Sequence, residues 1–216
     1  MTRSVLARRP ASNVAARRVA LFAALLCFAA FLTLGIIVSG TPPGSLDRAA
    51  GSLAGHSLGL AAFLSAAGRF PVYFGLCCAT LLLGIIRRRS FTRALTAVVA
   101  LVIAWKVSDF FKDRFHRARP EHWFVHRETS FSYASGHATL ALTFYGLWAV
   151  YIWNSRLPKA VRLGAVLLLG LWTAAIGWSR LALGAHYATD VAGGYLFGAA
   201  CMLTALAVGP RRGVRG

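Results

Sequence analysis

The sequence predicts an all-α integral membrane protein, a bundle of six transmembrane helices with a short additional outer-face helix or partly inserted segment. Three observations carry that prediction. First, 57% of the 216 residues are hydrophobic, only 14% are charged and the mean hydropathy is +0.61, whereas a soluble domain carries about 25% charged residues. Second, apolar stretches near the length needed to cross a bilayer, about 20 residues, recur along the chain. Third, the basic residues between those stretches fall unequally on alternate sides. The apolar content excludes disorder, and the length excludes a large multidomain enzyme. Twenty-four Lys and Arg against six Asp and Glu give a net charge of +18 and a pI of about 11.4, which in isolation suggests nucleic acid. That reading needs a polar basic face, and no nucleic-acid partner is expected of a chain built from apolar stretches.

Taken in order, residues 1–18 form an Arg-rich cytoplasmic N-terminus, 19–208 a single membrane domain and 209–216 a basic cytoplasmic tail. The first span is 19–38. It follows an Arg-rich start, but its apolar run exceeds the roughly 7 to 15 residues of a signal-peptide core, so a retained helix is expected. Thr41-Pro42-Pro43-Gly44 ends it. Residues 46–68 are only moderately apolar and contain Asp47, Arg48 and His56; they read as an outer-surface or partly inserted helix. The remaining spans are 70–86, 95–111, 136–153, 163–178 and 191–208. Six spans leave both termini on one side. With the N-terminus inside, fifteen Lys and Arg fall inside, eight outside and Lys106 within a span, which is the positive-inside bias. All six acids and all six His fall outside or at outer helix ends. The expected location is a bacterial inner membrane, with both termini cytoplasmic and the ionisable residues on the periplasmic, outer face. Cys27, Cys77, Cys78 and Cys201 lie in apolar spans, in neither a disulfide nor a zinc pattern, and read as packing residues.

Three clusters share the outer level of the bundle. Lys112 to Pro120 follows the third span, Ser135-Gly136-His137 opens the fourth, and Ser179 to Asp190 joins the fifth and sixth. Lys112, Arg119 and Arg180 offer three cationic donors, with the arginine forks matched to phosphate oxygens. Gly136 lets the backbone approach a ligand, and the first amides of the fourth helix form an anion site. His186 and Asp190, four apart, lie on one face if helical. The carboxylate would then fix the imidazole tautomer and free the other nitrogen to attack phosphorus. His137 is placed to protonate the leaving alkoxide, and the cations supply the charge stabilisation that phosphoryl transfer demands.

Lys-x6-Arg-Pro, Ser-Gly-His and Ser-Arg-x5-His-x3-Asp, in that order, resemble the three signature motifs of the type-2 phosphatidic acid phosphatase family, membrane relatives of vanadium haloperoxidases and bacterial acid phosphatases. The resemblance implies a metal-independent lipid phosphatase without a cofactor. Its intermediate would be a phosphohistidine on His186 oriented by Asp190, with His137 as general acid, and Lys112, Arg119, Ser135, Gly136 and Arg180 holding the phosphate. It departs from the family pattern at Ala134, where proline commonly precedes Ser-Gly-His; that removes a rigid residue and no catalytic group. The implied partners are membrane lipids and a substrate drawn from the bilayer: phosphatidic acid, phosphatidylglycerophosphate, undecaprenyl pyrophosphate or a lipid A phosphate. A phosphotransferase using the same intermediate and a non-catalytic transporter are the competing readings.

Outside the motifs, Arg114, Arg117 and Arg127 read as solvated loop charge or headgroup attraction. His122 and His126 have the spacing of metal ligands, with His116 nearby, but no matching carboxylate or Cys pattern, and no metal is expected. Lys106 and Asp109 are three apart and read as a pair, Tyr133 and Trp123 as interfacial anchors, and Gly193, Gly194 and Gly198 as sites of close helix packing.

Overall fold

A computed structural model describes residues 10–86, 91–121, 123–124 and 128–209. Among them are eight α-helices and no strand: α1 (Pro10–Ser39), α2 (Ser45–Gly51), α3 (Leu58–Ala67), α4 (Phe70–Ile86), α5 (Phe91–Phe115), α6 (Gly136–Trp153), α7 (Lys159–Ala182) and α8 (Ala188–Val208). Every apolar stretch expected to span the membrane coincides with a helix or lies inside one.

Four of these helices are long and apolar enough to cross a bilayer: α1 over Val14–Ser39, α5, α7 and α8. A fifth crossing arises if α3 and α4, bent by 45° at a short break, act as one span. The sixth expected span, α6, is not among them. It is enclosed by α5, α7 and α8, and its buried positions include Thr139, Thr143 and Tyr145. A helix whose sides meet protein need not be apolar all round, and α6 mixes its polar groups into helix contacts. On the periphery, Phe22, Leu25, Ile36 and Ile37 of α1 and Leu167, Leu168 and Leu171 of α7 are exposed, an apolar band suited to lipid.

Residues 46–68 are not one helix. The chain forms α2, turns through Gly55 (φ +89°) and Ser57 (φ +49°), and restarts as α3. The Gly55 amide donates to the Ala182 carbonyl at 2.9 Å, which pins this turn to the end of α7. A positive φ there suits glycine.

Two features bring the outer helix ends together. The glycines of α8 let it approach α6 closely: a methyl group at Gly194 would stand 2.6 Å from the Ser135 carbonyl oxygen, and one at Gly198 2.7 Å from that of Thr139. Beside this seam, Phe31, Phe111, Phe115 and Phe197 surround Tyr133. Tyr133 is not an interfacial anchor. It is fully buried, stacks on Phe31 with centroids 5.5 Å apart and donates its hydroxyl to the Phe31 carbonyl at 2.6 Å. The ring is accommodated because Gly35 and Gly193 present no side chain to it. Among the cysteines, Cys77 packs in the core while Cys78 is exposed on the bundle surface.

Candidate active site

The last turns of α5 and α7 and the first turns of α6 and α8 meet at one end of the bundle, and every predicted site residue lies there. Lys112, in the last turn of α5, is buried; its ammonium lies 3.4 Å from Ser130 Oγ and 3.9 Å from Asp109. Lys106 instead sits over the Trp105 ring at 4.3 Å. The Lys112 ammonium is also 3.8 Å from the point where a Gly136 Cβ would stand. A cation therefore adjoins the start of α6, whose first amides have no intrahelical acceptor. Ser135 is the N-cap residue, and its amide donates to the Asp190 carbonyl at 3.0 Å, tying α6 to α8.

Arg119 is the hub. Its Nε donates to the Ser130 carbonyl at 2.7 Å, and its guanidinium reaches the Ala185 carbonyl at 3.0 Å, the Phe131 carbonyl at 3.2 Å, His186 Nε2 at 3.1 Å and Glu128 at 2.7 Å. Arg180 is buried at the end of α7. It donates to Ser65 Oγ of α3 at 2.6 Å and to the other Glu128 oxygen at 2.7 Å. The Glu128 carboxylate thus bridges the two arginines. Burial opposes its charge, but Arg180 and then Arg119 outweigh burial and hold the carboxyl down at about 2.

His186 and Asp190 meet, but not as two positions on one helix. His186 lies in the turn before α8, and Asp190 in the first turn of α8. Asp190 Oδ2 accepts from the Tyr187 amide at 2.9 Å, so the carboxylate caps α8, and His186 Nδ1 lies 3.5 Å from that same oxygen. Arginine can only donate. The Arg119 contact therefore makes Nε2 the acceptor and leaves the ring proton on Nδ1, facing Asp190. Burial first, then Arg119 and Arg180, push the His186 imidazole well below its usual pKa, which keeps it neutral.

Arg117 corrects the expectation of loop charge. It is buried, with one nitrogen 2.6 Å from Asp47 of α2 and the other bonded to Asp190 Oδ1 at 2.5 Å and Thr189 Oγ1 at 2.7 Å. Asp47 in turn accepts from the Thr189 amide at 2.9 Å, and Ser132 Oγ donates to Asp190 Oδ2 at 2.5 Å. Asp190 is completely buried, and these partners are what allow its charge there. Sequence motifs pointed to neither Arg117, Asp47 nor Glu128; their only sequence signal was membership among the few outer-face charges.

Ser135 Oγ, His137 Nε2 and Arg180 Nε are buried without a hydrogen-bond partner in the protein. Each such group costs about 1–3 kcal/mol, and an anion with several acceptor oxygens would satisfy the Ser135 hydroxyl, the Arg180 N–H and, when it carries the proton, His137 Nε2. His137, in the first turn of α6, packs its ring against Gly68, where a Cβ would come within 2.6 Å of its Cδ2. It shares no hydrogen bond with the Arg119 cluster. Arg114 is exposed over the Phe110 ring, and the Trp123 indole donates to the Pro120 carbonyl. His122, His126 and Arg127 lie outside the described residues. Among the described residues, no three His, Cys, Asp or Glu cluster as metal ligands. The assembly of buried cations around a neutral, carboxylate-oriented imidazole is chemically suited to a phosphoryl group.

Residues 93–213, more than half of the chain, match the family model described as the PAP2 superfamily. An uncharacterized 22.5 kDa protein in the cps region of Klebsiella pneumoniae is 34% identical over 76 residues, 34% of this chain and 35% of that protein. Phosphatidylglycerophosphatase B of Bacillus subtilis (strain 168) is 33% identical over 92 residues, 40% of this chain and 43% of that one. The aligned region thus spans less than half the length of these curated relatives. The crystal structure of a transmembrane PAP2-type phosphatidylglycerolphosphate phosphatase from Bacillus subtilis superposes with a TM-score of 0.74 at 19% identity, covering 86% of this chain and 94% of that one. This likeness shows a shared fold.

Proposed function

The chain belongs to the PAP2 superfamily, and from that premise we propose that it is a metal-independent membrane lipid phosphatase. The reading places six crossings in the membrane, counting α3 with α4 as one and α6 as the enclosed sixth, and puts the site on the outer, periplasmic face. The observation that carries it is the convergence of Lys112, Arg119 and Arg180 on the His186–Asp190 pair. The chemistry divides into two steps. In the first, the Arg119 N–H that Nε2 of neutral His186 accepts turns to a phosphoryl oxygen, the freed Nε2 attacks phosphorus, and the bond from phosphorus to the lipid oxygen breaks as that oxygen takes a proton from His137. In the second, water attacks the phosphohistidine and gives a proton to His137 as the P–N bond breaks, releasing inorganic phosphate and restoring both histidines. Lys112, Arg119, Arg180 and the Ser135–Gly136 start of α6 hold the equatorial oxygens, where charge stabilisation is most effective. Asp190 keeps the proton on Nδ1 and balances the charge that develops on the ring.

The name of the Bacillus relative makes phosphatidylglycerophosphate the first substrate to test, beside phosphatidic acid, undecaprenyl pyrophosphate and lipid A phosphates. Purified protein is expected to release inorganic phosphate from at least one of these without a lipid acceptor. Transfer to a lipid with no free phosphate would make it a phosphotransferase instead.

A further inference from the structure

We infer that Glu128 is an internal stand-in for the substrate's phosphate, a carboxylate that bridges Arg119 and Arg180 and is displaced when the phosphoryl group binds. This inference rests on the phosphatase reading of the site and adds to it a competitor supplied by the chain itself.

Three observations support it. The two Glu128 oxygens divide between the two arginines, one each at 2.7 Å, the bridging pattern that two phosphate oxygens would adopt. Each arginine has a hold besides Glu128. Arg119 is also held by the Ser130, Phe131 and Ala185 carbonyls, and Arg180 by Ser65. Glu128 is also the exposed member, its side chain 35% accessible against 6% for Arg119 and 2% for Arg180. It borders a cavity of about 670 Å³ that Arg117, Pro120, Glu121 and Trp123 also line. The side chain therefore has somewhere to go, and the cations keep their geometry when it leaves.

A phosphate dianion brings more charge and more acceptors than one carboxylate, and it also engages Lys112, so it wins the exchange. The consequence is an affinity lower than the bare arginines would give. Replacing Glu128 by Gln keeps the shape and removes the charge. It is expected to tighten competitive inhibition by inorganic phosphate about tenfold, the order associated with one charge-assisted hydrogen bond, with the substrate effect in KM rather than kcat. Glu128→Ala is expected to change both quantities in the same direction.

The test measures the inhibition constant of inorganic phosphate, and its direct binding by calorimetry, for the full-length wild type and both variants in detergent, each first shown to be monodisperse. Tighter phosphate binding in the variants supports the displaced-carboxylate role. Unchanged or weaker binding in folded variants overturns it and makes Glu128 a residue that positions the arginines. Wild-type protein that releases no phosphate from any lipid rejects the phosphatase reading, while the calorimetry still decides the role of Glu128.

Discussion

Arg117 supports the candidate nucleophile's orientation through Asp190, because it is the cation paired with that completely buried carboxylate. Removing one partner of a buried ion pair typically costs about 3–5 kcal/mol. Arg117→Ala strands two carboxylates, Asp47 and Asp190, and thermal melting in detergent should fall accordingly. Arg117→Lys should recover only part of the loss, since an ammonium cannot present two nitrogens to two acids. Asp190→Asn should leave a folded protein whose turnover drops by about 10³-fold or more, as expected when the imidazole tautomer is no longer fixed; kcat on the best lipid substrate measures it. Glu128 gives a pH prediction. Its folded pKa of about 2 lies below its unfolded value near 4.5, so the unfolded chain takes up protons first as the pH falls. Its contribution is complete above about 4.5 and is lost as the pH falls toward 2. Solvent at this partly exposed group keeps the contribution small. The melting-temperature difference between wild type and Glu128→Gln should narrow across that window.

At the scale of elements, the site is set by how closely α8 approaches α6. A methyl at Gly194 would meet a backbone oxygen, that of Ser135, which cannot swing aside as a side chain would. Gly194→Ala should therefore shift the start of α6 and reduce kcat/KM by about 10²-fold, the scale of a 1 Å misplacement. Gly164→Ala on α7, where nothing lies within 4 Å, should leave activity near wild type. The helices themselves were legible because an apolar run of bilayer length is a local property, and so was the convergence of the three motifs, which sit at successive ends of neighbouring helices. What stayed hidden depends on contacts across the chain. Arg117 looked like loop charge because its partner Asp47 lies 70 residues away. Tyr133 looked interfacial because its pocket is made by Gly35 of α1 and Gly193 of α8. The break of residues 46–68 into α2 and α3 turns on Gly55 bonding to Ala182, a contact that no periodicity reports. Spacing gave the right pair in His186 and Asp190 but the wrong geometry, since a helix N-cap also brings residues four apart together.

For the whole molecule, the basic residues describe two systems. Arg93 and Arg162, stacked near Tyr151 and Trp153, lie at the end of the bundle opposite Lys112, Arg119 and Arg180. In the proposed six-span topology the first group lies inside and the second outside, so reporter fusions at the two termini should both report the cytoplasm. Opposite reports would remove the six-span arrangement. In the proposed reaction His186 carries phosphate from a lipid, and phosphate release measures that step. Purified wild type and His186→Ala are to be compared on lipid phosphates and pyrophosphates in the presence of EDTA. The wild type should release phosphate, undiminished by the chelator, and the variant should lose about 10³-fold or more of that rate. Release by His186→Ala at the wild-type rate, or activity that disappears with EDTA and returns with added metal, would contradict the proposed reaction.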